Sequence, residues 1–134
     1  MTDIKTIKQT VVFRATPHEV YDALMSSAKH SKFTGSKATV SRKAGGKFSI
    51  FGGGLRGTNL QVVMDKKIVQ KWQCKMDNWP DKHWSKVTFS LKKTKTGAQL
   101  KFIHMNVPDE CYKSIKEGWT KYYWKPMKKM LGKE

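Results

Sequence analysis

The sequence predicts an α+β domain in which a curved antiparallel sheet wraps around a long C-terminal helix. Six short segments of alternating polar and apolar residues follow one another between residues 38 and 105. They are joined only by short turn- or glycine-rich connections, which link neighbouring antiparallel strands. Over residues 108–131 the apolar spacing changes to three or four residues, which is typical of a helix with one buried face.

Before these strands, the chain changes from strand to helix at Thr16 and Pro17. Alternating apolar residues predict a strand over residues 4–14. Thr16 can cap the following helix, and Pro17 fits its first turn because that position needs no amide hydrogen. A second short helix is expected over residues 28–33 and should end at Gly35.

The six later strands are expected to have one apolar face and one cationic face. Val87, Phe89 and Leu91 share one face of their strand, and only Lys, Ser or Thr lies between them. The glycines at 45–46 and 52–54 are interpreted as hairpin turns, since no Gly-Lys-Ser/Thr follows them. The predicted strands comprise residues 38–41, 47–51, 55–64, 67–76, 85–93 and 99–105.

The C-terminal helix is expected to begin at Pro108 and to cover the apolar face of the sheet. Pro126 removes one backbone donor and should kink this helix. No other predicted helix is long enough to cover the sheet, so the sheet should bend around it in a helix-grip arrangement, which commonly leaves a cavity. The apolar stripe of the helix comprises Cys111, Ile115, Trp119, Tyr122 or Tyr123, Pro126 and Met130.

Composition limits the class of protein. The 134 residues fit one domain spanning 1–134, and 27 Lys and Arg against 10 Asp and Glu give a net charge of +17. Such a charge attracts nucleic acids, acidic membrane faces or acidic proteins. Two cysteines are too few for a disulfide framework, and no apolar stretch approaches the roughly 20 residues of a membrane helix. A cytoplasmic monomer that does not bind membranes is expected.

Four segments of the chain resemble the AHSA domain, the C-terminal domain of the activator of the heat shock protein 90 (Hsp90) ATPase. The resemblance covers nearly the whole chain in the same order. It implies a START-like or Bet v 1-like fold and an Hsp90 co-chaperone role, in which the domain contacts the chaperone and modulates its ATPase. The segments are residues 13–27 (FRATPHEVYDALMSS), 45–57 (GGKFSIFGGGLRG), 68–91 (IVQKWQCKMDNWPDKHWSKVTFSL) and 117–131 (EGWTKYYWKPMKKML).

In the family that this chain resembles, the eukaryotic activators carry a separate N-terminal domain, which docks on the middle segment of the chaperone. The 134 residues leave no room for that domain. An excised C-terminal domain and a single-domain relative both fit this length. We therefore expect the chain to bind or modulate the chaperone, and we do not expect it to stimulate the ATPase fully.

The sequence shows little sign of the residue patterns that are typical of enzyme active sites. The four histidines (His18, His30, His83 and His104) show neither metal-ligand spacing nor pairing with the cysteines, so no metal or cofactor site is predicted. No carboxylate falls on a predicted inner face, where a general acid or base would be needed. His104 shares such a face with Phe102 and is interpreted as a hydrogen-bonded histidine at a cavity rim. A binding domain is predicted, not an enzyme.

Six residues are predicted to face the space between the sheet and the helix. Ordinary core packing explains these positions. The sharper alternative is that they line a cavity for a hydrophobic small molecule, for which the protein would be a carrier or sensor. These candidate cavity residues are Trp72, Phe89, Phe102, Ile115, Trp119 and Tyr123.

The expected partner contacts lie at Trp79, His83, Trp84 and Lys86, because exposed aromatics beside cations are typical of protein interfaces. Arginine is scarce and most aromatics should point inward, so specific nucleic-acid recognition is not expected. Non-specific nucleic-acid binding driven by charge is a further alternative. The predicted partner is acidic Hsp90, met by the lysine-bearing outer faces.

Overall fold

The computed structural model describes residues 3–131 and contains a seven-stranded antiparallel sheet in the order β1-β7-β6-β5-β4-β3-β2. From β2 onward, each strand pairs with the next one along the chain, and β1 pairs with β7. The predicted curved antiparallel sheet with a C-terminal helix is therefore confirmed. The strands are β1 (Ile4–Phe13), β2 (Ala38–Val40), β3 (Lys47–Ile50), β4 (Leu55–Val63), β5 (Lys67–Cys74), β6 (Ser85–Thr94) and β7 (Gly97–Pro108).

Two short helices, α1 (Pro17–Met25) and α2 (Ser27–Thr34), connect β1 to β2. The Thr16 hydroxyl accepts a hydrogen bond from the Glu19 amide, and the Glu19 carboxylate accepts one from the Thr16 amide. The predicted cap is thus a reciprocal capping box. Gly35 ends α2 in the left-handed conformation, with a φ of 72°. Both signals were readable in the sequence because capping depends on neighbouring residues only.

The C-terminal helical segment starts one residue later than predicted, and its first turn is 3₁₀ instead of α-helical. Pro108 is the last residue of β7 and pairs with Ile4 instead of opening the helix. The segment consists of a 3₁₀ turn (Asp109–Cys111), α3 (Tyr112–Trp119), a π-helical turn (Thr120–Trp124) and α4 (Lys125–Met130).

The π-helical turn accounts for the irregularity expected near Pro126. The Lys125 amide donates to the Thr120 carbonyl, five residues back, and the next residue, Pro126, has no amide hydrogen. The wider turn changes which side chains face the sheet. It places two consecutive aromatics, Tyr123 and Trp124, in the core.

The predicted apolar stripe is therefore correct up to Trp119 and partly wrong beyond it. Of the two tyrosines, Tyr123 is buried and Tyr122 is 46% exposed. Met127 is fully buried, whereas the predicted Pro126 and Met130 are only half-buried. An unbroken 3.6-residue period cannot describe a helix that contains a π turn.

The core lies between the inner face of the sheet and the helices. Val87 and Phe89 are 0% and 2% exposed, which confirms the predicted inner face of β6. Gln73 lies on the outer face of β5, opposite Arg56, yet it is only 8% exposed. Its amide contacts the side chain of Arg56 and the carbonyl of His83, so neighbouring groups cover it from outside.

Among residues 3–131, no helix has the length and apolar character needed to cross a membrane.

Candidate functional site

A pocket of about 300 Å³ opens between the C-terminal helix and the end of the sheet formed by β4 and β5. Its wall is almost entirely apolar. The helix contributes Ile115, Trp119 and Tyr123, and the sheet contributes Trp72 and Cys74. These side chains meet because the sheet curves around the helix without closing completely against it.

Four of the six predicted cavity residues line this pocket: Trp72, Ile115, Trp119 and Tyr123. The other two, Phe89 and Phe102, belong to the packed core. The ring of Phe102 lies 4.5 Å from that of Trp119, and the ring of Phe89 lies 5.4 Å from that of Phe102. Binding of a ligand by the four pocket residues stays a prediction.

The mouth of the pocket is formed by two aromatics that the sequence did not mark as site residues. Phe51 and Tyr122 meet edge to face with their ring centroids 6.0 Å apart. Phe51 has a φ of 56°, and Gly52 and Gly53 after it also have positive φ values. The Phe-Gly-Gly-Gly run could have indicated such a loop, but its place over the helix depends on the curvature of the sheet.

His104 is fully buried beneath the pocket, so its predicted place at the cavity rim is wrong. The Trp119 indole N–H donates to His104 Nδ1 at 3.1 Å, and an indole nitrogen can only donate. The proton of the neutral ring is therefore on Nε2, which donates to the Ser85 hydroxyl at 2.8 Å. That hydroxyl donates to the Trp72 carbonyl at 2.9 Å. Both ring nitrogens are occupied, so His104 orients Trp119 and is not available as a base.

Burial lowers the pKa of His104 to about 3, which keeps the ring neutral near pH 7. The same cause lowers the pKa of His30, a second buried histidine. His30 Nδ1 lies 2.9 Å from the Leu24 carbonyl, to which it must donate. Its Nε2 then accepts from the Tyr123 hydroxyl at 2.8 Å, and burial raises the pKa of Tyr123. Two neutral histidines thus hold two aromatic residues of the pocket wall.

The cysteines do not form a reactive centre. Cys74 and Cys111 are free thiols. Burial, with a smaller contribution from Cys111, raises the pKa of Cys74 to about 11, so this thiol stays protonated and acts as apolar wall. In the part of the chain from residue 3 to 131, no three His, Cys, Asp or Glu side chains gather into a group that could hold a metal ion.

The predicted exposed patch around Trp79 and His83 is wrong, because both side chains are half-buried and bonded internally. The Trp79 ring packs against Trp72 on the inner side of the sheet, with centroids 5.6 Å apart. Its indole N–H donates to the His83 carbonyl at 3.0 Å. The imidazole of His83 in turn lies 2.8 Å from the Asn106 carbonyl.

Trp84 lies on the opposite, outer side of the sheet, so it does not join Trp79 in one patch. The ammonium group of Lys71 lies 4.5 Å from the centroid of the Trp84 ring, in a cation–π contact. Lys86 is fully exposed and pairs directly with Lys71 across β5 and β6. Partner binding by these residues stays a prediction.

The charged side chains of the strands are all cationic. None of the seven strands contains Asp or Glu. Within residues 3–131, Lys5 is the only strand cation in a salt bridge, which it forms with Asp109. The strand cations are Lys5, Lys8, Lys47, Arg56, Lys67, Lys71, Lys86, Lys92, Lys93 and Lys101.

The family model described as "Activator of Hsp90 ATPase homolog 1-like protein" matches residues 14–132. The chain belongs to this family. The resemblance to the AHSA domain is thereby confirmed, and with it the helix-grip, Bet v 1-like fold. Cytoplasmic location and a monomeric state stay predictions.

Individual members of the family support this assignment. The "Activator of 90 kDa heat shock protein ATPase homolog" of Dictyostelium discoideum is 31% identical over 118 residues, which are 87% of this chain and 30% of the relative. The human "Activator of 90 kDa heat shock protein ATPase homolog 1" is 28% identical over 127 residues, 95% of this chain and 36% of the relative. The chain thus spans about a third of the length of these curated relatives.

A solved structure described as an HSP90 activator from Plasmodium falciparum has a TM-score of 0.89 and 27% sequence identity. The match covers 96% of this chain and 97% of that chain. Similarity of this extent means that the two chains share the sheet, the connecting helices and the C-terminal helix.

Proposed function

We propose that this chain is an Hsp90-binding co-chaperone domain, which docks on an acidic surface of the chaperone and modulates its ATPase. The observation that carries the proposal is the complete absence of carboxylates from strands that hold ten cations. Membership of the activator family supports Hsp90 as that partner.

The physical role of the cationic face would be to steer association. Complementary charges raise the rate at which two proteins meet more than they raise final affinity. A bound domain changes ATP turnover only if it binds one conformation of the chaperone more tightly than another. In this proposal the described residues bind the chaperone and carry out no chemistry, and hydrogen bonds occupy both ring nitrogens of the buried His104 and His30.

The test is a titration of purified Hsp90 with the full chain, following binding and ATP turnover together. The double variant Lys71→Glu/Lys86→Glu reverses charge at the centre of the outer face. Lys113→Glu/Lys129→Glu makes the same change in net charge on the exposed side of the C-terminal helical segment. The first variant should weaken binding at least about tenfold more than the second. Absence of binding by the unaltered chain at low salt would refute the proposal.

A second candidate function is transport or sensing of a hydrophobic small molecule, and the apolar pocket of about 300 Å³ favours it. That volume is at the lower end of the range for ligand sites. A neutral solvatochromic dye such as Nile red is the suitable probe, because the net charge of +17 would attract an anionic dye unspecifically. Ile115→Trp should fill the pocket and abolish uptake, whereas Ile115→Val should retain it. Equal dye binding by both variants would exclude this function.

A further inference from the structure

A groove of about 450 Å³ crosses the outer face of the sheet beside Trp84. It lies on the other side of the strands from the apolar pocket. Lys47 and Ser49 of β3 and Arg56 and Thr58 of β4 form its walls, and Trp84 closes one end. Cations, hydroxyl groups and the Trp84 ring therefore line one concave surface, with the buried Phe48 beneath it.

Strand pairing explains why these side chains lie together. Residues that pair directly across antiparallel strands point to the same face of the sheet. The four wall residues Lys47, Ser49, Arg56 and Thr58 belong to two such rows. The first row consists of Ser49, Arg56 and Gln73, and the second consists of Lys47, Thr58, Lys71 and Lys86.

Arg56 is held in position by neutral partners. Its Nε donates to the Gln73 side-chain oxygen at 3.1 Å, and the Gln73 amide nitrogen donates to the His83 carbonyl at 3.2 Å. Within residues 3–131, no carboxylate forms a salt bridge with Arg56. The guanidinium is therefore oriented before any ligand arrives, and its terminal nitrogens are left for an external carboxylate.

Trp84 is also held in place. The Asn106 side-chain amide donates to the Trp84 carbonyl at 2.8 Å, and the Lys71 ammonium lies 4.5 Å from the centre of the ring. The first contact holds the backbone and the second lies on the ring, and a half-buried tryptophan beside cations offers a rigid apolar contact to a partner.

We propose that this groove binds a short acidic peptide segment, whose carboxylates pair with Arg56 and Lys47 and whose neighbouring apolar side chain contacts Trp84. Complementary charge favours an acidic occupant, since the strands that form the groove contain no carboxylate. The groove therefore specifies the chemistry of the segment that the outer face binds. If that segment is part of Hsp90, the inference rests on the proposed function.

The number of available rings favours a peptide over a nucleic acid. Proteins that bind single strands stack successive bases on several exposed aromatics. Within the described strands, the aromatic side chains are all buried, including Phe48 beside the groove, which is 4% exposed, so Trp84 is the ring at the groove that remains for stacking. The buried strand aromatics are Phe13, Phe48, Trp72, Phe89 and Phe102.

The experiment is an NMR titration of the ¹⁵N-labelled full chain at physiological salt. The probe is a short synthetic peptide of glutamates around a central phenylalanine, and its glutamine counterpart is the control. The indole resonance of Trp84, assigned by its loss in Trp84→Phe, should shift with the acidic peptide only. The backbone amide resonances of β3 and β4 should shift in the same titration.

Two matched variants test the role of Arg56. Arg56→Gln should weaken peptide binding about tenfold, because it removes a charge-assisted hydrogen bond. Lys92→Gln removes the same charge from an exposed position of β6 outside the groove and should change binding by less than about twofold. Dispersed spectra of both variants would show that each is folded.

Several results would overturn the inference. Tighter binding of sodium tripolyphosphate or an oligothymidylate to the same resonances would make the groove a phosphate or nucleic-acid site. Equal loss of binding in Arg56→Gln and Lys92→Gln would mean diffuse attraction without a site.

Binding to Hsp90 distinguishes the groove inference from the proposed function. If Hsp90 binds Arg56→Gln and Trp84→Ala as tightly as it binds the unaltered chain, the groove inference fails and the proposed function stands. If the peptide binds the groove and Hsp90 does not bind the chain, the proposed function fails alone.

Discussion

The inner and outer faces of the sheet are formed by the same strands, but they are stabilised differently. On the inner face, aromatic rings pack closely and even His104 has partners on both nitrogens. On the outer face, Lys71 and Lys86 lie directly opposite each other without a carboxylate on any strand. Like charges in such a pair destabilise a sheet. The inner face is thus explained by folding alone, whereas the outer face is better explained by an external partner.

The largest effect should come from removing an aromatic residue of the inner face. Trp119 is 4% exposed and contacts Phe102, Tyr123 and Trp124. Trp119→Ala should lower the free energy of unfolding by about 3–5 kcal/mol, measured by urea denaturation. Tyr122→Ala, at an exposed position of the same helical segment, should cost about 1 kcal/mol or less. Similar losses in the two variants would contradict the assigned inner face.

The next effect, which is smaller for each pH unit, is the loss of stability in acid. The unfolded chain takes up a proton on His104 near pH 6.5, but the folded chain does so only near pH 3, because burial disfavours the charged ring. The unfolded state therefore binds more protons between these values, and stability should fall by up to about 1.4 kcal/mol per pH unit as pH falls. The lowered pKa of His30 acts in the same direction.

The check is the free energy of unfolding against pH for the unaltered chain and for His104→Gln. The variant should be less stable near pH 7, because the hydrogen bonds to Ser85 and Trp119 are altered. Its dependence on pH between about 6.5 and 3 should nevertheless be shallower, since one titrating group is gone. An unchanged slope would mean that His104 is not the buried neutral histidine described above.

A third prediction separates stability from partner binding on the outer face. Lys86→Glu replaces a like-charge pair with an opposite-charge pair to Lys71 and should stabilise the fold by about 0.2–1 kcal/mol. The same variant should weaken binding to Hsp90. Lys92→Glu, opposite uncharged Gln99, is the control for stability and should show little gain. A variant that is destabilised, or that binds Hsp90 more tightly, would contradict the comparison of the two faces.

The smallest effect is expected at the exposed side of β1. Val12 is 50% exposed, so Val12→Thr should change stability by no more than about 0.5 kcal/mol. Its neighbour Val11 is 7% exposed, and Val11→Thr should cost more because a hydroxyl group would be buried there. Thermal denaturation of the pair measures the difference. A reversed order would show that the register of β1 is shifted by one residue.

Much of the fold was predictable because its signals are local. The alternation in β1 and β6, the cap at Thr16 and the left-handed end at Gly35 each depend on a few neighbouring residues. The candidate site was predictable only in part. Four of the six proposed cavity residues line the pocket, whereas Phe102 and Phe89 lie in the packed core. A periodicity shows which face is buried, but not how closely the opposite layer packs against it.

The sequence by itself determined the order of the elements, the two chemically different faces of the sheet and the family to which the chain is similar. Only the tertiary structure decided that Trp79 and Trp84 lie on opposite sides of the sheet, that Gln73 is buried beside Arg56, and that a π turn brings Trp124 inward. The physical reason is that polarity patterns act between neighbours in the chain. Curvature, layer packing and hydrogen bonds between distant strands depend on residues that meet only after folding.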